Sequence, residues 1–268
     1  EAEFLAALGS SRVITIARDT KLNLSKILEY KDLCQVAGIN WINEGSNVKK
    51  KKNAKYAESI FDGRQLILYG MKNLTIVGES GAEIVVEPRY SFVITFKGCQ
   101  NVVLRNLTVG HTMEGYCMGG VIYLSDCKNV KVESCDLYGC GTYGLEAYNS
   151  RDIRFARSII RDCTYGIMIL DKVFNVNFID CDFYRNREFA LVDVRKDSYN
   201  IKFFNCRFAQ NEGSLFVLCS HINLENCEIR NKTSQEIELD SEEEYFKAKN
   251  TSWTVDNTAL PPRGIGPQ

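Results

Sequence analysis

The chain has 268 residues, of which 45% are hydrophobic, and its formal net charge is −1. This charge balance excludes a strong overall attraction to nucleic acid or to an anionic membrane surface. No apolar run approaches the roughly 20 residues of a membrane-spanning helix. We therefore expect no nucleic acid among the partners and no membrane span. The sequence shows no signal peptide and no initiating Met, so we expect a mature or trimmed form.

The region before the regular part of the chain is predicted to contain a helix, a strand and an irregular insertion. Residues 1–10 contain an amphipathic segment, which would cap the open N-terminal end of a β-structure. Residues 12–16 alternate in the way of a strand. Residues 17–65 follow as an irregular insertion that includes the lysine run 49–52. We interpret this run as a solvated loop rather than a polyanion-binding patch.

One short pattern then repeats along the chain. Each repeat starts with Asn, Asp or His, followed by apolar residues at alternate positions, a bend and a second apolar pair. Apolar residues two apart predict a strand with one buried face, and the extra residue predicts a corner. The repeats are 21 to 28 residues apart and start at Asn73, Asn101, Asn129, Asp152, Asn175, Asn200 and His221. This spacing is typical of the coils of a solenoid.

Two further features complete the predicted coil. The corner between the paired strands carries Asn106, Asn205 and Asn226, and Asn tolerates the left-handed backbone conformation that a tight corner needs. A third apolar segment follows in each repeat. These segments are residues 121–124, 144–147, 166–169, 191–194 and 215–218. Three strands per coil predict an all-β prism of about eight coils.

The eleven cysteines are interpreted as core residues rather than as disulfide partners. Four of them share one repeat position: Cys135, Cys181, Cys206 and Cys227. Leu107 and Ser158 take this position in other coils, and free Cys is among the most buried residue types. A second shared position predicts a stack at a turn and is filled by Cys140, Cys163, Asn186 and Asn211. No Cys-x-x-Cys pair exists and the two histidines lie far apart, so we expect no zinc site.

The coil length, the Asn corner and the stacked apolar positions resemble the right-handed parallel β-helix proteins, the superfamily typified by pectate lyases. The resemblance covers roughly residues 66–255. It implies one β-helix domain over residues 11–257, because a solenoid buries its core coil on coil, and a loosely ordered tail over 258–268. This fold hosts lyases, hydrolases, adhesins and structural proteins, so it does not determine the function.

The resemblance implies a groove along the third-strand sheet, walled by loops that enter from the preceding corner. The longest insertion within the repeats, residues 110–120, places His111, Glu114 and Tyr116 there. Later coils contribute a second group by position: Tyr143, Glu146, Tyr165, Arg187, Asp193 and Arg195. Tyr rings stack on sugars and Arg pairs with uronate carboxylates, so the set suits an acidic or neutral polysaccharide.

Glu146 and Asp193 are the candidate catalytic residues. A glycoside hydrolase needs two carboxylates across the sugar, and these two lie two coils apart, roughly 10 Å along the axis. A lyase needs a base and often calcium, but the calcium and catalytic Arg signatures of pectate lyases are not recognisable. We therefore expect no metal or other cofactor. The register of Asp193 stays open, because its strand shifts by one residue with the repeat chosen for alignment.

A second surface, on the other corner sheet, carries charges of both signs. They belong to Asp136, Asp182, Arg207 and Glu228. We interpret them as a structural cross-strand charge lattice. The alternative is a calcium site at Asp180 and Asp182, which the neighbouring arginines disfavour.

Together these features predict a monomeric, secreted or cell-surface protein of bacterial origin that binds polysaccharide along the groove. One alternative is a polysaccharide lyase or glycoside hydrolase that uses the same groove. The other is a non-catalytic structural or protein-interaction scaffold. A carboxylate pair bridged by water or metal would favour the enzyme, and an aromatic strip without such a pair would favour the binding protein. A flat charged surface would favour the scaffold.

Overall fold

The computed structural model describes residues 1–46, 50–112, 119–139, 141–187, 190–231, 237–239 and 246–255. Three long sheets organise these residues and contain nine, nine and ten strands. We call them sheets A, B and C, in the order in which the chain enters them within each coil. Consecutive coils stack by parallel pairing, so each sheet grows by one strand per coil.

The N-terminal part combines short helices with the first strands. In chain order its elements are α1 (Ala2–Ala7), β1 (Arg12–Ile16), β2 (Lys21–Asn23), α2 (Ser25–Leu28), α3 (Lys31–Val36), β3 (Ile39–Ile42), β4 (Ala54–Ile60) and β5 (Gly63–Tyr69). Helix α1 lies where the sequence predicts a helix, and its Leu5 is buried in the core. Residues 17–65, expected to be irregular, instead hold strands β2 to β5. These strands follow no repeat period, because β4 and β5 form an antiparallel hairpin inserted into the edge of sheet C.

Regular coils follow, with one strand for each sheet. Their strands are β6 (Lys72–Gly78), β7 (Glu83–Val86), β8 (Ile94–Lys97), β9 (Gln100–Arg105), β10 (Thr108–His111), β11 (Ile122–Ser125), β12 (Lys128–Glu133), β13 (Asp136–Tyr138), β14 (Tyr143–Tyr148), β15 (Arg151–Ala156), β16 (Ile159–Arg161), β17 (Gly166–Asp171), β18 (Phe174–Ile179), β19 (Asp182–Tyr184), β20 (Val192–Val194), β21 (Tyr199–Phe204), β22 (Arg207–Ala209), β23 (Phe216–Leu218), β24 (Ile222–Glu225), β25 (Glu228–Asn231), β26 (Ile237–Leu239), β27 (Phe246–Lys249) and β28 (Ser252–Val255).

The strand order confirms the predicted parallel β-helix. Sheet A is β1-β6-β9-β12-β15-β18-β21-β24-β27, sheet B is β2-β7-β10-β13-β16-β19-β22-β25-β28, and sheet C is β26-β23-β20-β17-β14-β11-β8-β5-β4-β3. Each strand therefore pairs with the strand that lies one coil away in the sequence. Within each coil, a loop leads from sheet B to the start of a strand of sheet C. These loops therefore lie along one border of sheet C.

Left-handed residues form the corners of the coils. Asn106, Asn205 and Asn226 have φ values of 53°, 53° and 54°, which confirms the predicted Asn corner. The first residue of most repeats is also left-handed, for example Asn101 at φ 57°. Its side chain continues a ladder between coils, because the Nδ2 of Asn129 donates to the Oδ1 of Asn101 at 2.8 Å. Side-chain amides thus stabilise a backbone bend that most residues avoid.

The predicted cysteine row lies inside the prism. Its four members, Cys135, Cys181, Cys206 and Cys227, are at most 3% exposed and carry free thiols. Ser158 takes the place between the first two, where its hydroxyl accepts a hydrogen bond from the backbone N of Cys135 at 3.1 Å. A second row, which the sequence analysis did not identify, contains Cys99 and Cys127. Thiols and small polar groups therefore fill many of the buried positions near the corners.

The predicted turn stack is also present. Asn186 and Asn211 are fully buried, and the backbone N of Cys163 donates to the Oδ1 of Asn186 at 3.1 Å. The backbone N of Asn186 in turn donates to the Oδ1 of Asn211 at 3.1 Å. Cys140, the fourth expected member, lies outside the described residues. The buried amides provide hydrogen-bond partners for backbone groups at a turn that lies outside the regular sheets.

The charges on sheet B form ion pairs between coils. The guanidinium of Arg207 makes a bidentate contact with the carboxylate of Asp182, and an Nη of Arg161 lies 2.9 Å from the Oδ2 of Asp136. These contacts support the structural interpretation of the lattice. Among the described residues, no group of three or more His, Cys, Asp or Glu side chains is placed to hold a metal ion, and no helix there is long and apolar enough to span a membrane.

Candidate functional site

The register of sheet C determines which side chains reach its outer face. One outward column runs along the axis through Thr95, Tyr123, Glu146, Ile169, Asp193 and Val217. Alternate residues of a strand point to opposite faces, and Val192 and Val194 are buried. Asp193 therefore points outward, which settles the register that the sequence left open. Glu146 and Asp193 share one column and lie two coils apart, with Ile169 between them.

A second outward column lies two residues further along each strand. It contains Lys97, Ser125, Tyr148 and Asp171, and Arg195 follows β20 beside Asp171. The two columns together bring acidic, basic and phenolic groups to one surface. We call this surface the sheet C strip and define it as Tyr123, Tyr143, Glu146, Tyr148, Asp171, Asp193 and Arg195.

Glu146 is the most buried carboxyl group of the strip. Glu146 is 8% exposed. The two oxygens of its carboxyl group accept hydrogen bonds from the hydroxyls of Thr142 at 2.8 Å and Tyr148 at 3.0 Å. Burial raises the pKa of Glu146, although the two hydroxyl donors and the charge of Arg195 act in the opposite direction. A carboxyl group in this state retains its proton at higher pH than usual and is suited to donate it.

Asp193 is held by a guanidinium on the same strip. The Nε of Arg195 lies 3.1 Å from the Oδ2 of Asp193, and an Nη of Arg195 lies 3.7 Å from the Oδ2 of Asp171. Burial raises the pKa of Asp193, while the charge and hydrogen bond of Arg195 lower it. Arg195 thus connects two carboxylates on successive coils, while its own side chain stays partly exposed.

Aromatic rings border these charged groups. The rings of Tyr123 and Tyr148 lie 5.4 Å apart at 32°, and Phe92 packs edge-on against Tyr123 at 5.0 Å. The Nζ of Lys97 lies 5.6 Å from the centre of the Tyr123 ring. Burial, followed by the charges of nearby carboxylates, raises the pKa of Tyr143 to about 12. The phenols therefore stay protonated, and they present ring faces as well as O–H donors.

The structure brings four of the predicted residues together: Tyr143, Glu146, Asp193 and Arg195. Tyr165 and Arg187 lie instead on connections from sheet B to sheet C, where their backbone N atoms donate to Thr142 and Cys163 of the preceding coil. Tyr165 is half-buried and Arg187 is exposed. Glu114 and Tyr116 lie outside the described residues.

His111 does not offer an accessible side chain to a groove. The residue is 4% exposed, and its Nε2 lies 2.9 Å from the carbonyl oxygen of Ser91. Burial lowers the pKa of His111, because the charged imidazolium loses its hydration. From the sequence, His111 is expected on the loop that joins the corner strands to the third strand. The residue instead ends strand β10, which directs its ring inward.

Three residues of the strip were not identified from the sequence: Tyr123, Tyr148 and Asp171. A signal for two of them existed. Tyr148 stands two residues after Glu146 and so shares its face, and Asp171 stands in the same relation to Ile169. The predicted third strands ended one residue before Tyr148 and two residues before Asp171, since the apolar segments alone determined their bounds.

The charge balance of the strip favours an organic ligand over a metal ion. Arg195 already neutralises Asp171 and Asp193 in part, and Glu146 accepts from two hydroxyl donors. A calcium site needs several unengaged oxygen ligands. The arrangement instead provides ring faces, proton donors and acceptors along the axis of the solenoid.

Comparisons with known proteins agree with this architecture. Residues 92–255 match the model of a family described as the right-handed β-helix region. A capsule K1-specific depolymerase of Klebsiella phage K64-1 is 25% identical over 148 residues, which are 51% of this chain but only 16% of the depolymerase. The chain therefore spans about a sixth of this curated relative.

Solved structures show the same fold at low sequence identity. A pectate lyase from Paenibacillus sp. 0602 superposes with a TM-score of 0.59 and 10% identity, over 97% of this chain and 78% of the lyase. A pectin methylesterase from Yersinia enterocolitica gives a TM-score of 0.51 and 11% identity, over 83% and 87% of the two chains. At these identities the likeness concerns the fold alone.

Proposed function

The chain belongs to the right-handed β-helix family, and from this fold and the sheet C strip we propose that it binds a polysaccharide along the outer face of sheet C. The proposal depends on one observation, the grouping of tyrosines, carboxylates and a guanidinium on adjacent coils of that face. Neighbouring coils lie ~4.8 Å apart. The groups therefore continue along one axis, as the units of a linear polysaccharide do.

The strip offers two kinds of contact to a sugar chain. The paired rings of Tyr123 and Tyr148 provide apolar surface for the C–H faces of a pyranose. Arg195 provides N–H donors beside two carboxylates, which accept from sugar hydroxyls. A uronic acid would pair with the guanidinium. We accordingly propose an acidic or neutral polysaccharide as the ligand.

The nature of the ligand indicates where the protein acts. Polysaccharides of this class coat cells or lie outside them, so we propose a secreted or cell-surface location. The similarity to a depolymerase specific for a capsule supports a surface polysaccharide. Because the strip lies on one solenoid and its described groups all come from a single chain, we propose a protein that works as a monomer.

A second candidate function is cleavage of the bound polysaccharide, and the state of Glu146 favours it. Burial raises the pKa of this carboxyl group, as a general acid requires for proton transfer to the glycosidic oxygen. Asp193 then acts as the second carboxylate. Two strand spacings place the pair roughly 10 Å apart along the axis, closer to the separation of inverting hydrolases than to that of retaining ones.

A binding measurement tests the first proposal. We expect the parent protein to bind members of a panel of capsular and pectic polysaccharides. Tyr123→Ala should weaken binding by about 1 kcal/mol, roughly fivefold, through the lost ring contact. Tyr30→Ala removes an exposed tyrosine from the N-terminal insertion and should leave the affinity unchanged. Equal affinities of both variants for every polysaccharide bound by the parent would remove the strip as the binding surface.

Product formation tests the second proposal on the same polysaccharides. Reducing-end release reports hydrolysis, and ultraviolet absorbance of an unsaturated product reports elimination. Glu146→Gln should abolish release while binding stays within about twofold, because the amide keeps the shape of the side chain but cannot donate the proton in the same way. An unchanged rate in this variant would exclude Glu146 as the acid. Binding without product from the parent would leave the first proposal alone.

A further inference from the structure

The outer face of sheet A carries a second regular arrangement of side chains. One column of this face runs through Gln100, Lys128, Arg151, Phe174 and Tyr199. A parallel column runs through Val103, Lys131, Arg154, Asn177 and Lys202. We define the sheet A platform as the following six residues: Lys128, Lys131, Arg151, Phe174, Tyr199 and Lys202. It lies on a different face of the prism from the sheet C strip.

The cations of the platform are exposed and have no carboxylate partner among the described residues. Lys128, Lys131, Arg151 and Lys202 are all exposed, and none forms an ion pair within the part of the chain that the structure describes. The neighbouring carboxylate of Glu133 is already held by Arg105 at 2.8 Å and Arg154 at 3.2 Å. The face is therefore locally positive, although the whole chain has a net charge of −1.

An aromatic pair continues the column of cations. The rings of Phe174 and Tyr199 stack with their centres 5.1 Å apart and their planes within 4°. The guanidinium of Arg151 lies 5.4 Å from the centre of the Phe174 ring. Tyr199 is 55% exposed, so its ring is accessible to a ligand. The stacked pair holds the exposed ring in one orientation.

From this combination we propose that the sheet A platform is a second polysaccharide-binding surface, selective for an acidic chain. The cations pair with carboxylate or sulfate groups, and the exposed ring of Tyr199 packs against a sugar face. Lys128 and Arg151 lie on adjacent coils, ~4.8 Å apart, which is close to the length of one pyranose unit, and Lys202 lies two coils beyond Arg151. The platform can therefore meet a charge that recurs along a linear polysaccharide.

An acidic polysaccharide fits the platform better than nucleic acid does. A nucleic acid has a dense phosphate charge. Its binding affinity therefore depends mainly on many cationic side chains and on an overall positive field of the protein. The platform has four cations that form no ion pair with the described residues, and the chain as a whole gives no such field. A chain with fewer charges and with apolar sugar faces matches the observed number of cations and the aromatic pair.

The test measures binding of polygalacturonate by the full chain, with neutral dextran as the uncharged reference. We expect binding of polygalacturonate that weakens as salt is raised, since exposed charges are screened. The triple variant Lys128→Gln, Lys131→Gln, Arg151→Gln should lower the affinity by about tenfold or more at low salt. A control triple removes the same charge from the N-terminal insertion: Lys26→Gln, Lys51→Gln, Lys52→Gln. It should stay within about twofold of the parent.

Three further measurements decide the assignment. Tyr199→Ala should weaken binding of polygalacturonate, whereas Tyr30→Ala, at another exposed tyrosine, should not. The platform triple should lower the affinity in an Arg195→Gln background, which weakens the sheet C strip, by the same factor as in the parent, so failure of the strip and failure of the platform are distinguishable. Equal losses in the two triple variants would overturn the proposal. Binding of single-stranded DNA as tight as that of polygalacturonate would show a general polyanion surface and overturn the assignment to polysaccharide.

Discussion

At the scale of single residues, the environment of each side chain decides its chemistry more than its type does. Glu146 and Asp193 occupy one outward column, yet different groups hold them. Glu146 accepts from two neutral hydroxyls, whereas Asp193 is bound by the cation of Arg195. Burial raises the pKa of both carboxyl groups, and only Asp193 has a guanidinium in direct contact to oppose it. Glu146 is consequently the better proton donor of the pair.

The stability of the protein should depend on the ionisation of Glu146. Its pKa in the folded protein is raised above the usual 4.5, so the folded state holds the proton more tightly than the unfolded chain does. The associated stability is fully present below the unfolded pKa and is lost as pH rises through the folded pKa. Because Gln cannot ionise, the melting temperature of Glu146→Gln relative to the parent should increase between about pH 4 and about pH 7.

Thermal unfolding at the two pH values checks this expectation. Glu3→Gln, at an exposed position of α1, serves as the matched control and should follow the parent at both. A melting difference for Glu146→Gln that stays constant with pH would show that burial does not govern this carboxyl group.

The cysteine row makes a second prediction at this scale. Cys206 is fully buried, and its thiol donates to the carbonyl oxygen of Phe178 at 3.4 Å. Cys206→Asp should destabilise the protein by about 3 kcal/mol or more, because an unpaired charge would enter the packed interior. Lys51→Ala, at an exposed position, should change the free energy of unfolding by less than about 0.5 kcal/mol. Denaturant titrations that give similar values for both would contradict the assignment of inside and outside.

At the scale of elements, the strands are short and the corners carry much of the specificity. Several strands of sheet B have only three residues, so the pairing of one strand contributes few hydrogen bonds. Side chains at the corners add bonds between coils, as in the ladder from Asn129 to Asn101 and the stack from Asn186 to Asn211. The amides of Asn186 and Asn211 also satisfy backbone groups that the bend takes out of the sheet. The corners therefore align each coil with the next.

Removal of one amide from the turn stack should be costly. Asn186→Ala deletes the acceptor of the backbone N of Cys163 and the donor to the carbonyl oxygen of Ile160. Leaving buried polar groups unpaired costs about 1–3 kcal/mol, so we expect a loss of that size in the free energy of unfolding. Asn177→Ala, on the half-buried outer face of sheet A, is the control and should be nearly neutral. Equal effects of the two substitutions would show that the stack does not stabilise the turn.

At the scale of the whole molecule, the solenoid is a one-dimensional assembly. Each inner strand pairs with strands of the two adjacent coils, whereas β1 and β27 end sheet A and have one partner each. The core cluster continues through all coils, from Leu5 in α1 to Ile229 in β25. In such an array stability arises from each repeat and its neighbouring interfaces. The same regularity places the sheet C strip and the sheet A platform along the axis.

Hydrogen exchange should reveal this gradient. Amides of the central strands β15 and β18 should exchange slowest, and those of β1 and β27 fastest, because the terminal coils open without disrupting two interfaces. Mass spectrometry of peptic fragments after exchange measures the order directly. Uniform protection from one end of the solenoid to the other would contradict the one-dimensional description.

Much of the fold and part of the site could be predicted from the repeat. The left-handed Asn106 and the buried row around Cys206 followed from one residue type recurring at one position. Tyr143, Glu146 and Arg195 were selected for the groove by position and share the strip. The strands inside residues 17–65 were not identified, because they follow no repeat period and one of them, β4, forms an antiparallel hairpin with β5.

The period, the corner residues and the inward rows follow from the amino-acid sequence, because each coil repeats the same local rules of alternation and left-handed conformation. The register of Asp193, the inward position of His111 and the groups that hold Glu146 depend on the stacked coils. These features depend on which strand lies beside which, and residues about one coil apart in the sequence become neighbours only when the coils stack. Local patterns thus specify the coil, and stacking specifies its chemistry.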